Sequence, residues 1–500
     1  MNWRTSLSLV AMVALVLTAL GSTSAATRSE LRIAVGTDAE TFDPHNYRSG
    51  YDLLLHDLIT DTLVGADKNM KPVPRLAVSW QQTNNVTWRF RLRQGVKFHD
   101  GTPFNAEAVK INFERNAKAL KGARFYGEIQ EVRVIDASTV DFVLKRPFAP
   151  FFLNLTMPVG GMISPEQLAK GIDPTKTLMG TGPFRLAEWV PNDRVVLVRN
   201  PDYWGKAPKL ERVVFRRIRE ESTRHLALLR REVDASVDPP AHQLKGLRDS
   251  LIFDVIIEPQ ARVLWLGFNF KDGVLKDKRV REAVALAVDR KAIVEQVLEG
   301  VPREADVGVL PPELLATRPP LRFASNLDRA RQLLAQAGYA GGLRVTIWTP
   351  HGRYFGDKTI AEVLQAQLAR IGVTATVRVM EYGAFVDAVA RHEQQLWIIG
   401  WAFTPHPDAM LRGVFHSRSA ANWTAYNNPE FDRLLEEAVA ITDPARVAQA
   451  YWNIQKVLMD DVALVPIYYA VNVYAVNKKV HNFRTHPLEL LDLSETVVEE

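Results

Sequence analysis

Residues 400–411 read GWAFTPHPDAML, which sets two large rings, Trp401 and Phe403, beside His406 and Asp408. Pro405 and Pro407 each remove an amide donor and clash with a preceding helical turn, so the stretch is a strand end followed by irregular chain, not one helix. Catalytic spacings are missing elsewhere. HEQQL at His392 opens like a zinc-protease helix, but the position four residues on is Leu396, so the second metal ligand is absent. There is no G-x-S-x-G, S-x-x-K, G-x-x-x-x-G-K-[ST] or G-x-G-x-x-G, and Pro183 spoils GTGPFR at Gly180 as a phosphate loop. The 11 histidines form no H-x-x-x-H pair, and with no cysteine the soft-metal sites vanish too. Triads are assembled in space, so missing motifs lower the expectation of catalysis without excluding it. The expectation is a protein that is not an enzyme and carries neither metal nor cofactor.

Five hundred residues, 47% hydrophobic and 24% charged, exceed one core and suit two or three domains. A net charge of +5, from 62 basic and 57 acidic residues, is mild for this length and gives nucleic acid little support as a partner. Arg4 precedes LSLVAMVALVLTAL and a run of small residues ending at Ala25 and Ala26. This is the pattern of an export signal over residues 1–26, too short in its apolar part to span a bilayer. The absence of cysteine removes both disulfides and lipid attachment, so the expectation is a mature protein free in a bacterial periplasm.

The elements that must position any site alternate. Strand patterns occur at LRIAV (31–35), VTWRFRLR, STVDFVLK, RVVLVRN, LIFDVIIE, LRVTIWT, TATVRVM and VPIYYAVNVYAV. Helices between them carry start signals at Asn105, Asp277, Asp289 and Asn428–Pro429, and Gly300 follows a last turn. Mixed order without a fixed period predicts an α/β (mixed α+β) protein and argues against a solenoid. PPELLATRPP and VDPPAHQL read as short surface loops, and the arginines at 217, 219, 224, 230 and 231, interleaved with glutamates, read as a solvated face.

WRFRLRQGVKFHDGTPFNAEAVK (88–110) reads as an alternating strand with Trp88, Phe90 and Leu92 on one face, a turn at His99-Asp100-Gly101, and a helix capped by Asn105. This stretch resembles the signature of the family 5 extracellular solute-binding proteins, the dipeptide, oligopeptide and nickel receptors of ABC importers. FDPH at Phe42, GTGPFRLAEW at Gly180, RNPDYWG at Arg199, LGFNF at Leu266, VREAVALAVDRKAIV, GW at Gly400 and VALVPIYY follow in that family's order. The resemblance implies a two-lobed binding-protein fold with a ligand cleft between the lobes: residues 27–48, 172–258 and 478–500 in lobe 1, 49–171 as a second domain packed on it, and 259–477 in lobe 2. It further implies a monomer that closes over a peptide-like or other small amide-bearing solute and hands it to permease subunits in the inner membrane. Metal chelates, opines and other non-peptide solutes are the alternative cargo. A periplasmic sensor or chaperone is the alternative of another class.

On the same resemblance, Gly400, Trp401, Ala402 and Phe403 line the cleft, with backbone pairing to the ligand as an added strand. Lobe-packing aromatics are the plainer alternative for Trp401 and Phe403. Peptide-binding members usually place an Asp where this chain has Thr404, to take the ligand's α-ammonium, so a free peptide N-terminus is a poor default ligand unless Asp408 or Glu381 serves instead. The nickel branch has a His near Asp408, and this chain offers His406. Thr37 and Ala39 occupy a loop that presents backbone groups to ligand, and Tyr126 lies near a cleft tyrosine of relatives. Arg353 is a candidate for a ligand carboxylate, against a surface arginine or a partner for Asp357. Trp265 stacks on ligand or packs beneath the hinge.

Overall fold

The computed structural model describes residues 27–315, 321, 323–402 and 406–500. The expected export signal, Phe403 and Thr404 lie outside the described residues. The dominant element is a sheet of eleven strands whose spine is one antiparallel pair, Phe253–Phe268 and Leu464–Asn477. Near the Phe253 end, Tyr474–Val476 pair with Ala235–Val237. Beyond it lie Glu30–Val35 and Arg212–Arg217 in parallel, then Arg194–Arg199 and Phe184–Val190 in antiparallel order. Near the Phe268 end, Arg262–Phe268 pair with Leu396–Ala402, and Leu343–Pro350 and Val373–Met380 follow in parallel. The spine therefore belongs to two flanks of the sheet at once. Its second strand is almost wholly buried, which explains why VPIYYAVNVYAV reads as a near-continuous apolar run instead of alternating.

The spine is not a regular ladder. Its register shifts between Pro259 and Val263, and again between Leu264 and Trp265, opposite Pro466. Proline donates no ladder hydrogen bond, and each break bends and twists the strands that carry it. LIFDVIIE thus continues through Pro259 into a strand of sixteen residues, twice the length its alternating part suggests.

A separate four-stranded antiparallel sheet, in the order 77–84, 87–92, 139–144 and 129–136, packs under the helix Ala106–Asn116. Asn105 caps that helix by accepting from the Ala108 amide, and Phe113 meets Phe142 edge-on at 4.8 Å between ring centres. The expected caps at Asp277, Asp289 and Asn428 accept from the amides of Arg279, Ala292 and Glu430 respectively. Two surface readings are corrected. Pro239 and Pro240 are buried rather than exposed in a surface loop. Arg224 is only 2% exposed, its guanidinium donating to the carbonyls of Ile218, Arg219, Val237 and Asp238. Four of the five guanidinium donors meet strand-end carbonyls and make a buried tie out of what composition reads as a solvated charge.

At the first register break Arg262 turns toward Glu489, which comes from the C-terminal segment, and Arg353 donates to the same carboxylate at 3.0 and 3.1 Å. Both arginine side chains are below a tenth exposed. Burial alone raises a carboxyl, but the two guanidiniums outweigh it and hold Glu489 down at about 2. Replacing one partner strands two buried cations, so Glu489→Ala is expected to cost about 3–5 kcal/mol in urea unfolding. Because the folded value is depressed below the ordinary 4.5, the stabilisation is complete above 4.5 and is lost as pH falls toward 2. Acid titration of stability should show this loss in the parent chain and a flatter profile in Glu489→Gln.

Candidate functional site

The strand Leu396–Ala402 pairs with Leu343–Pro350 at Leu396 and Trp397, and from Ile399 to Ala402 it lines a chamber of about 70 Å³. Facing it are Tyr47–Gly50, Leu53, Lys121, Arg124, Phe125 and Met157, while Tyr382, Met410 and Trp423 complete the wall. Through Arg48, Lys121, Arg124 and Trp423 this chamber continues into an outer space of about 890 Å³. Together they match the size range of small-molecule clefts, about 300–1,000 Å³, whereas the inner chamber alone holds only a few waters.

Glycine at 400 has a steric reason. A Cβ there would stand 2.9 Å from both the Arg262 Cδ and a ring carbon of Tyr354. The Gly400 carbonyl accepts from Arg262 Nη1 at 3.0 Å and from the Tyr354 hydroxyl at 3.1 Å, which uses both its lone pairs. Trp401 is half-buried and meets Trp423 edge-on, 5.3 Å between centres. The Arg124 guanidinium lies 5.4 Å from the Trp401 ring centre, and the Lys121 ammonium 5.7 Å from that of Trp423.

The residues singled out in the sequence fall into two sets. Gly400, Trp401 and Ala402 line the inner chamber, and Thr37 lines a neighbouring one beside Gly36 and Arg353. The others are enclosed. Tyr126 is fully buried with its hydroxyl donating to the Asn154 carbonyl at 2.8 Å, and Trp265, 1% exposed, packs against Phe415. Ala39 is buried and its amide donates to Asp38. Asp408, 1% exposed, accepts from Arg412 at 2.9 Å and from the Tyr451 hydroxyl at 2.9 Å. His406 packs edge-on to Tyr451, and burial lowers it to about 4, so it is neutral at ordinary pH. Glu381 caps the helix Tyr382–Ala390 by accepting from the Ala384 amide. Arg353 takes an internal carboxylate, that of Glu489; only its backbone amide reaches Asp357, at 3.0 Å. Sequence reasoning passed over Arg48, Lys121, Arg124, Arg262, Tyr382 and Trp423, whose neighbours in the cleft come from distant parts of the chain.

Contacts bridge the cleft at its rim. Arg48 donates to Asp387 at 2.5 Å, Arg146 to Glu436 at 2.8 Å, and the Ala149 amide to the Val439 carbonyl at 2.8 Å. Beside Arg48 stands Glu40, which burial, Glu381 and Asp52 together push up to about 7 against the opposing pull of Arg48. With the folded value raised above 4.5, the contribution of Glu40 to stability is full below 4.5 and is lost as pH rises through 7. Glu40→Gln is therefore expected to melt higher than the parent chain at pH 8 and together with it at pH 4, as read by differential scanning calorimetry.

Comparison with known proteins shows the family. The family described as bacterial extracellular solute-binding proteins, family 5 Middle, matches residues 71–422. The glutathione-binding protein GsiB of Escherichia coli O1:K1 / APEC is 30% identical over 492 residues, 94% of this chain and 95% of that protein. Among solved structures, the periplasmic binding protein DppA of Helicobacter pylori with peptide STSA superposes with a TM-score of 0.86 at 27% identity, covering 94% of this chain and 98% of that one. The dipeptide-binding protein of Pseudoalteromonas sp. SM9913 with Met-Leu, 24% identical, shares the fold with a TM-score of 0.88 over 94% of this chain and all of that one. The chain is a member of the bacterial extracellular solute-binding proteins of family 5.

Proposed function

We propose that the protein captures a peptide-like or other small amide-bearing solute between the two flanks and delivers it to the permease of an ABC importer. The observation that carries this is the chamber walled on one side by Tyr47–Gly50 and Leu53 with Lys121, Arg124 and Met157 and on the other by the strand ending at Ala402 with the Trp401–Trp423 pair, with rim ion pairs meeting across it. A ligand held by both walls favours the closed form over the open one, which is how binding energy becomes closure. The names of the relatives, which bind glutathione and short peptides, support the solute class.

In this reading the two lobes are residues 27–48 with 172–258 and 478–500 on one side and 259–477 on the other, with 49–171 as a domain packed on the first. The register breaks at Pro259–Val263 and Leu264–Trp265 are the natural place for them to swing. In this reading the chain works as a periplasmic monomer after loss of residues 1–26, binds without turning its ligand over, and has no nucleic-acid partner. No helix among the described residues is long and apolar enough to cross a membrane.

Binding can be read from the protein's own indoles. Addition of a tryptic casein digest should shift the tryptophan emission and reduce the radius of gyration in solution scattering. Trp401→Ala should raise the half-saturating concentration about tenfold or more while leaving the melting temperature within a few degrees. An unchanged radius at saturating digest would contradict capture by closure.

A further inference from the structure

The charges lining the cleft do not balance. The outer chamber is bordered by three carboxylates, Glu128, Asp387 and Glu436, and each is already engaged. Glu128 accepts from Arg146, Asp387 from Arg48, and Glu436 from Arg146 and Arg412. The inner chamber has no Asp or Glu among the described residues of its wall, and Ala402 is followed in the sequence by Phe, Thr and Pro. Of its four cations, Arg48 is held by Asp387 and Arg262 by Glu489.

Lys121 and Arg124 are left over. Among the described residues Lys121 makes no hydrogen bond or ion pair, and its ammonium faces the Trp423 ring. Arg124 donates to the Tyr47 hydroxyl and to no carboxylate, and its Nε is buried without a partner. Burial, together with Arg124 and Arg48, draws the Lys121 ammonium down to about 8, the response of a cation that lacks a counter-charge. The aromatic faces compensate two adjacent half-buried cations only in part, and a ligand carboxylate supplies the missing counter-charge.

We infer that this cleft selects a net-anionic peptide-like solute, whose carboxylates are taken by Lys121 and Arg124 above the Trp401–Trp423 pair. The inference rests on the receptor reading above and adds the charge of the cargo to it. An ammonium group finds no free carboxylate in the described wall, because Asp408 is committed to Arg412 and Tyr451.

Isothermal titration with three tripeptide probes tests it: reduced glutathione with two carboxylates, its diethyl ester with none, and trialanine with one. Glutathione should bind about tenfold or more tighter than the diester, with trialanine between them. Lys121→Gln and Arg124→Gln should each weaken glutathione about tenfold and leave the diester within about twofold, and Lys121→Arg should restore most of the loss. Melting curves of the variants establish that each is folded. Diester binding as tight as the acid, or variants that weaken all three probes alike, would overturn the inference while leaving the receptor reading intact. The second pattern would mean that the two cations only brace the flanks. If none of the three probes binds at millimolar concentration, the peptide-like cargo itself is wrong and the inference falls with it.

Discussion

Everything in this molecule hangs on one pair of strands that serves two flanks. Phe253–Phe268 and Leu464–Asn477 run through both, so the flanks cannot separate without working on the spine's ladder. That ladder is interrupted where Pro259 and Pro466 withhold donors, and the first gap is filled by Arg262. Glu489 then ties Arg262 of the spine to Arg353 of the second flank from the C-terminal segment. A buried carboxylate between two guanidiniums is a weak source of net stability but an effective way to fix one geometry, since removing any member strands the others. The same Arg262 reaches Gly400, so the anchor of the spine also sets the position of the strand that forms the cleft wall.

The cleft follows from that arrangement. Its floor is aromatic, its rim is closed by ion pairs between partly exposed groups worth little individually, and its interior keeps two cations without a carboxylate partner among the described residues. Weak rim pairs and an unfavourable charge inside are what a receptor that must reopen requires. A strongly self-sealed cleft would hold its closed form without cargo and release nothing to a permease.

Local chemistry was readable in the sequence, and tertiary chemistry was not. The caps at Asn105, Asp277, Asp289 and Asn428 are decided within three residues and appear where their residue types predict. The strand ending at Gly400–Ala402 was legible from its motif. Asp408 misleads because the type that takes an ammonium also takes a guanidinium, and Arg412 sits one helical turn away. Arg353 has the right fork for a ligand carboxylate, but Glu489 lies 136 residues further along and no pattern announces it. Lys121 and Arg124, in KGARFYGE, look like any solvated basic pair until Trp423 and Trp401 arrive from about three hundred residues away. Pro259 conceals the spine, since a proline inside a strand pattern normally ends it.

The central claim is that this chain holds a small solute between its two flanks. Native mass spectrometry of the intact protein, after incubation with a tryptic peptide digest and removal of unbound material, tests it most directly. The expected result is one adduct of peptide mass per chain, shifted to about tenfold or more higher digest concentration by Trp401→Ala. An unadducted chain at every digest concentration up to the millimolar range would contradict it.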